Sequence, residues 1–366
     1  MLSEIGSNFW IDPAEEFTYI QEVTPQSFGL KGNDYCFLST CRSAISLALE
    51  LIEMQNPNVS KIAAVPSFTC ETVIQPFLDS GYDLKMYEIN EELGIEKERF
   101  LEDIRESGVG VIIIHRYFGF DTMPDIGEII DGIRNLGISI IEDRTQCLYS
   151  DIELLDADFF VASLRKWHGI PDGGILVCKE GVIDGKPLNV DVELEQAKVD
   201  AGHAKYNYLF HHIGEKDSFL EKFRKAEDIL DNRSQKYKIS PFSYAMQASL
   251  DISGMKQKRR RNYAMLTKGI RSVEGIESVF PELQKGVVPL YCPIMVTERQ
   301  HIQKFLCDRG IYAPIIWPKP DMLPDISGNR SKLYQNMLCI PIDQRYGEED
   351  MDRIVNVLSG VNEYGD

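Results

Sequence analysis

The sequence predicts an α/β protein, a mainly parallel β-sheet covered by helices on both faces, followed by a smaller α+β region. Two observations carry this. From about residue 35 to residue 178, short and nearly continuous apolar runs alternate with helix-length segments. Strands buried on both faces read as such runs, whereas strands with one wet face alternate. The chain also has 366 residues, which makes two domains the expectation. The division is placed near 240: a large domain with an N-terminal arm over 1–240, and a smaller α+β domain over 241–366.

Each element follows from local chemistry. Residues 1–33 mix glycine, proline and polar residues around one apolar knot, Phe9-Trp10, and read as an irregular arm. Residues 35–38 form a strand and 39–43 a turn. A helix over 44–54 follows, with Ile45, Leu47, Ala48, Leu49, Leu51 and Ile52 on a broad apolar face. A strand over 62–65 stops at Pro66, and a helix from about 69 to 80 stops at Gly81. Strand 84–89, helix 100–106, strand 109–114, helix 125–136 and strand 138–142 continue the alternation. The apolar run before Ser163 and the run Ile175-Leu176-Val177 are two more strands. Residues 191–231 are charged and weakly periodic, and helices are expected there. After 245 come a long helix to about 273 with a break at Gly254, a strand at 290–296, a helix at 302–309, a strand at 338–342 and a final helix at 348–358.

Composition narrows the function. A hydrophobic share of 43% and a charged share of 26% are ordinary for a globular protein. The formal net charge of −18 argues against a nucleic-acid or anionic-membrane partner, since phosphate backbones select positive surfaces. No apolar run approaches the ~18 residues that span a bilayer. The N-terminus carries acids and lacks a basic-then-apolar leader, so a cytoplasmic protein is expected. Eight cysteines are scattered without a CxxC pair. They read as buried free thiols, and neither a disulfide framework nor a metal site is expected.

The chemistry concentrates in Ser163-Leu164-Arg165-Lys166-Trp167-His168-Gly169-Ile170-Pro171-Asp172-Gly173-Gly174, a tight loop between two strands. A lysine there enters a site more often than one on a surface helix does, a solvated loop lysine being the other reading. Upstream, Glu142-Asp143-Arg144-Thr145-Gln146 places an acid at the C-terminal end of an apolar strand, where α/β sheets hold ligands. A strand-end or capping acid is the alternative for Asp143. The turn at Cys41, Arg42 and Ser43 leads into a helix N-terminus, and free N–H groups with the helix dipole favour a phosphate there. Ser43 also suits a plain N-cap.

Together these residues resemble the DegT/DnrJ/EryC1/StrS family of sugar aminotransferases, fold-type-I enzymes of the aspartate aminotransferase superfamily that use pyridoxal phosphate. The resemblance spans about 34–358 and rests on Asp143-x-x-Gln146, Ser163-x-x-Lys166 and Pro171-x-Gly173-Gly174. It implies a seven-stranded-type sheet sandwiched by helices. It implies Lys166 as the residue that bonds the cofactor's aldehyde and shuttles protons, and Asp143 as the partner of the pyridine nitrogen. Gln146 would meet the ring's 3-oxygen. Ser163, Arg42, Ser43 and the Cys41 backbone would hold the phosphate.

Besides Cys41, which stands where the family usually has glycine, the chain departs from the family in three places. An aromatic residue usually stacks on the ring where Ser67-Phe68-Thr69-Cys70 puts Cys70, which packs but cannot stack. Phe68 is the expected compensation, or a core residue. The family's Asn-x-Arg stretch, which reaches the partner subunit's phosphate, has no clear copy near 237–243, where Lys238, Ser240 or Ser243 would substitute. The family's His-x-Tyr-Gly turn is one residue longer here, His115-Arg116-Tyr117-Phe118-Gly119. His115 is expected behind the site or as a satisfied buried histidine. Tyr312 and Trp317 fall where the family's small domain faces substrate, so Trp317 either stacks on a sugar or base or packs in the core. The basic run 256–261 reads as a solvated helix face, with a nucleotide diphosphate as the other use.

The resemblance thus implies a pyridoxal-phosphate-dependent aminotransferase acting on a keto sugar, nucleotide-linked, with glutamate or glutamine as donor. It also implies a homodimer with active sites at the interface. Two alternatives remain open: a lyase or dehydratase of the same fold, and a non-catalytic scaffold or regulator.

Overall fold

The computed structural model describes residues 4–19, 21–123, 125–323 and 329–361. In chain order its first elements are β1 (Ile5–Gly6), β2 (Asp34–Leu38), α1 (Cys41–Gln55), β3 (Ile62–Pro66), α2 (Glu71–Asp79) and β4 (Asp83–Tyr87). Next come α3 (Lys97–Ser107), β5 (Val111–His115), α4 (Ile126–Asn135), β6 (Ser139–Asp143), β7 (Phe159–Ser163) and β8 (Gly174–Cys178). Four helices follow, α5 (Val192–Tyr206), α6 (Lys216–Asp231), α7 (Pro241–Ser249) and α8 (Ile252–Ile270). The chain continues with β9 (Ile276–Ser278), β10 (Cys292–Val296), α9 (Arg299–Cys307), β11 (Ile311–Tyr312), α10 (Asn329–Asn336), β12 (Met337–Ile340) and α11 (Glu348–Ser359).

Seven strands form one sheet in the order β2-β8-β7-β6-β5-β3-β4. β7, β6, β5, β3 and β4 run parallel, and β8 runs antiparallel to both β2 and β7. Side chains along a strand alternate between faces, and both faces are apolar. Ala64, Ile112, Ile114, Ile140 and Phe160 pack on the side of α3 and α4. Ala63, Val65, Val111, Ile113, Ile141 and Val161 pack with α1 and α2. That is why these strands read as unbroken apolar runs.

Later in the chain, β12, β10 and β9 form a three-stranded antiparallel sheet. Its residues Ile294, Leu338 and Ile340 share a continuous core with α8, α11 and the large sheet.

Three local readings are corrected. The break in the long helix falls at Leu250, which is extended, and not at Gly254; Asp251 caps α8 by accepting from Gly254 N at 2.9 Å. The arm is not wholly irregular, since β1 pairs in parallel with β11 and ties the N-terminus to the C-terminal part of the chain. Residues 276–278, unassigned from sequence, form the edge strand β9. Of the eight free cysteines, Cys147, Cys178, Cys292 and Cys339 are buried, while Cys307 is exposed. Among the described residues no helix is long and apolar enough to cross a membrane, and no cluster of acids, cysteines and histidines has a metal-holding arrangement.

Candidate active site

Parallel strands end together, so residues at their C-terminal ends meet. The ends of β3, β5, β6 and β7 bring Cys70, His115, Asp143 and Ser163 onto one cavity of about 300 Å³. Cys41, Arg42, Gln146, Lys166 and Trp317 also line it. Nine of the residues singled out from sequence are thereby gathered in one place.

Asp143 sits at the bottom. Its Oδ1 accepts from Thr145 N at 2.8 Å, and its Oδ2 lies 3.2 Å from His115 Nδ1. Burial alone raises its pKa, but the hydrogen bonds from His115 and Thr145 outweigh burial and hold the carboxyl below the usual range. An ionised carboxylate only accepts, so His115 carries its proton on Nδ1. His115 Nε2 then meets Thr69 Oγ1 at 2.9 Å. His115 is thus both a satisfied buried histidine and the support of Asp143.

Thr145, unmarked by sequence reasoning, ties the site together. Its hydroxyl accepts from Ser163 N at 3.0 Å and lies 3.7 Å from Cys41 Sγ, and its carbonyl accepts from Trp167 Nε1 at 2.8 Å. Its one available signal is its place between Asp143 and Gln146. Gln146 Oε1 accepts from Phe118 N at 2.8 Å. Phe118 (φ 53°) and Gly119 (φ 96°) are left-handed, which is how the longer turn after β5 is accommodated.

The helix α1 begins at the cavity edge. Thr40, not Ser43, is its N-cap and accepts from Ser43 N at 3.0 Å. Ser43's hydroxyl lies 2.9 Å from Thr40's, and Ser43 faces a neighbouring small cleft. The first N–H groups of a helix have no carbonyl partner within it, which leaves those of Cys41 and Arg42 at the cavity. Close packing beneath is essential: a Cβ on Gly174 would lie 2.4 Å from Thr40 C and 2.7 Å from Cys41 N. Burial raises the Cys41 thiol well above its ordinary range and raises Cys70 too, so both stay neutral.

Lys166 ends a 3-10 turn after β7. It is exposed and makes no hydrogen bond or ion pair among the described residues. It also lines a larger cavity of about 800 Å³, shared with Arg165, Glu227 and Tyr291. The loop carrying it is braced from behind by Arg259, which donates to Trp167 O at 2.9 Å and to Leu290 O at 2.9 Å. Arg259 is buried, so the basic run is not simply a solvated face.

Helix α6 supplies acids that the weak periodicity of 191–231 concealed. Asp231 pairs with Arg42 at 2.9 Å. Glu227 pairs with Arg165 at 3.1 Å and with Lys198. Burial raises the Glu227 pKa, but Arg165 and Lys198 outweigh it and bring it down to about 2.

Besides Ser43, two expected residues lie elsewhere. Phe68 is in the core behind the cavity, packed against Tyr117, Trp317 and Tyr334. Tyr312 lines the larger cavity and pairs with Lys216. Ser240 and Ser243 are fully buried and bound to Asp172 of the same chain, which leaves neither for a partner subunit.

No protein-family model matches this sequence, and no curated protein does. Solved structures do match. The aminotransferase TlmJ from Streptoalloteichus hindustanus is 16% identical with a TM-score of 0.65, over 93% of this chain and 88% of that one. PseC of Helicobacter pylori, an aminotransferase involved in pseudoaminic acid biosynthesis, is 14% identical with a TM-score of 0.66, over 91% and 87%. A DegT DnrJ EryC1 StrS aminotransferase from Brucella abortus is 17% identical with a TM-score of 0.64, over 93% and 88%. The chain therefore has the fold-type-I architecture.

Proposed function

We propose that this chain is a pyridoxal-phosphate-dependent aminotransferase acting on a keto sugar. The supporting observation is the single cavity that gathers Lys166, Asp143, Ser163 and the first turn of α1. These residues fit the cofactor. A buried carboxylate held ionised suits a pyridinium nitrogen, helix N–H groups with Ser163 suit a phosphate, and Lys166 is an exposed amine with no hydrogen-bond or ion-pair partner among the described residues.

When bound, pyridoxal phosphate supplies an electron sink for amino-group transfer. The chain's own part is positional and acid–base. Asp143 keeps a negative charge at the cavity floor. The α1 N-terminus and Ser163 hold an anion, and Gln146 borders the space between. Lys166 Nζ takes up and returns a proton at the substrate carbon that bears the amine. The larger cavity beside Lys166 gives room for a nucleotide-linked sugar, with glutamate or glutamine as donor. We further assign a homodimer, a cytoplasmic location and a two-domain division near 240.

The test is the visible absorbance of purified protein with added pyridoxal phosphate, then with excess glutamate. A cofactor band that bleaches on adding glutamate is expected. A chain that develops no such band would sink the reading. A band that never bleaches would favour a different donor or a lyase.

A further inference from the structure

The cavity has a wall that its own loop does not supply. Cys70, at the N-cap position of α2, lines it with a small side chain whose Sγ lies 3.0 Å from Thr72 Oγ1. A thiol offers no π face to a flat heteroaromatic ring. Phe68, two residues earlier, is turned into the core.

An indole reaches this place from the far end of the sequence. Trp317 lines the same cavity. Its ring centroid lies 5.7 Å from that of His115 at a 40° tilt, so it stands beside the histidine that supports Asp143. Behind it, Phe68 is 5.1 Å away and Tyr117 5.9 Å away. Tyr334 adds a clamp, its hydroxyl bonding Thr69 N at 3.0 Å and Ser67 O at 3.1 Å. Phe68, Tyr117, Tyr334 and Trp317 thereby form one aromatic cluster, and Tyr334 ties it to the backbone at Ser67 and Thr69. Of the other rings on the cavity, His115 is engaged through both nitrogens, and Tyr291 is shared with the larger cavity.

We propose that Trp317 supplies the aromatic wall for the cofactor's pyridine ring that Cys70 cannot supply, with Phe68 acting as its backing. This rests on the reading of the cavity as a pyridoxal-phosphate site. It takes Trp317 away from sugar or base recognition and makes it a cofactor-binding residue.

Equilibrium titration of the purified full chain with pyridoxal phosphate, followed by cofactor absorbance, tests this. Trp317→Ala is expected to weaken binding about tenfold and Trp317→Phe by no more than about threefold, since ring contacts prefer but do not require an indole. Adding Cys70→Phe to Trp317→Ala is expected to restore most of the affinity. Binding by Trp317→Ala equal to that of the parent chain would overturn the proposal. Should Trp317→Ala lower the thermal midpoint of the cofactor-free protein, Trp317→Leu fills the volume without a π face. Weaker binding by the Leu variant than by the Phe variant then supports the proposal, and equal binding overturns it. Failure of the parent chain itself to bind would overturn the proposed function, and this inference with it.

Discussion

His115 Nδ1 stands 3.2 Å from Asp143 Oδ2, and that one contact joins the C-terminal ends of two neighbouring parallel strands. With Thr145 it keeps a buried carboxylate charged. Burial raises the Asp143 pKa, and the donors His115 and Thr145 more than reverse the rise.

A depressed folded pKa contributes stability that is present above the unfolded value of about 3.9 and is lost as pH falls through the folded pKa. Replacing His115 with Phe removes one donor to a charged acceptor. The expected cost at neutral pH is roughly 1–3 kcal/mol. The deficit should shrink in acid, where Asp143 is protonated. Urea denaturation of both proteins at neutral and acidic pH measures this. A deficit independent of pH would mean that His115 acts only by packing.

Lys166 is exposed and has no hydrogen-bond or ion-pair partner among the described residues. Lys166→Ala should therefore change unfolding free energy by no more than about 0.5 kcal/mol, while abolishing covalent capture of pyridoxal phosphate. Borohydride reduction followed by peptide mass spectrometry locates the modified lysine. Modification at another lysine, with Lys166 untouched, would remove it from its assigned role.

Gly174 lies under the start of α1 with no room for a methyl group. Gly174→Ala is expected to cost about 2–3 kcal/mol, because backbone and not a flexible side chain must move. Gly127, in α4 with nothing within 4 Å of a built Cβ, is the control. There the same change should be neutral or stabilising by up to about 1 kcal/mol. Thermal or urea unfolding of the two variants distinguishes packing from a general intolerance of substitution.

His168 and Asp172 lie within the lysine loop and have opposite pH responses. Burial, assisted by Arg259, draws His168 down to about 4 against its hydrogen bond with Gln247. Its stabilising effect is complete above the unfolded value near 6.5 and is lost as pH falls towards 4, by about 3 kcal/mol. Burial raises Asp172 to about 6 against its donors Ser243 and Ser240. The protonated acid suits the fold, so stability on its account increases by a similar amount, about 3 kcal/mol, as pH falls from 6 to 4. The two largely offset each other. Asp172→Asn should expose the His168 slope, and His168→Gln should expose the opposite one. Unfolding free energies across about pH 4–7 read both, and parallel curves for the two variants would refute the assignment.

Much of this protein was legible in its sequence, for a physical reason. Strands covered on both faces must be apolar throughout, so β3, β5 and β6 announced themselves, as did the apolar face of α1. The order of strand, acid, strand and loop lysine placed Asp143, Ser163 and Lys166 at strand ends, where a parallel sheet gathers its ligands. Those are consequences of local pattern and topology.

What the tertiary structure alone decided is which distant groups answer them. Thr40 rather than Ser43 caps α1, because Thr40 has the extended backbone of a cap residue while Ser43 already lies inside the first turn, and residue type alone does not choose between a Thr and a Ser. Phe68 turned inward and Trp317 came to the cavity because the aromatic cluster of Phe68, Tyr117, Trp317 and Tyr334 packs that way. Arg259 went into the core to join the Trp167 carbonyl of the lysine loop to the Leu290 carbonyl, and Glu227 and Asp231 on α6 reached the site's cations. No local period encodes such contacts. They join residues far apart in the chain, and only the packed geometry brings them within hydrogen-bonding distance.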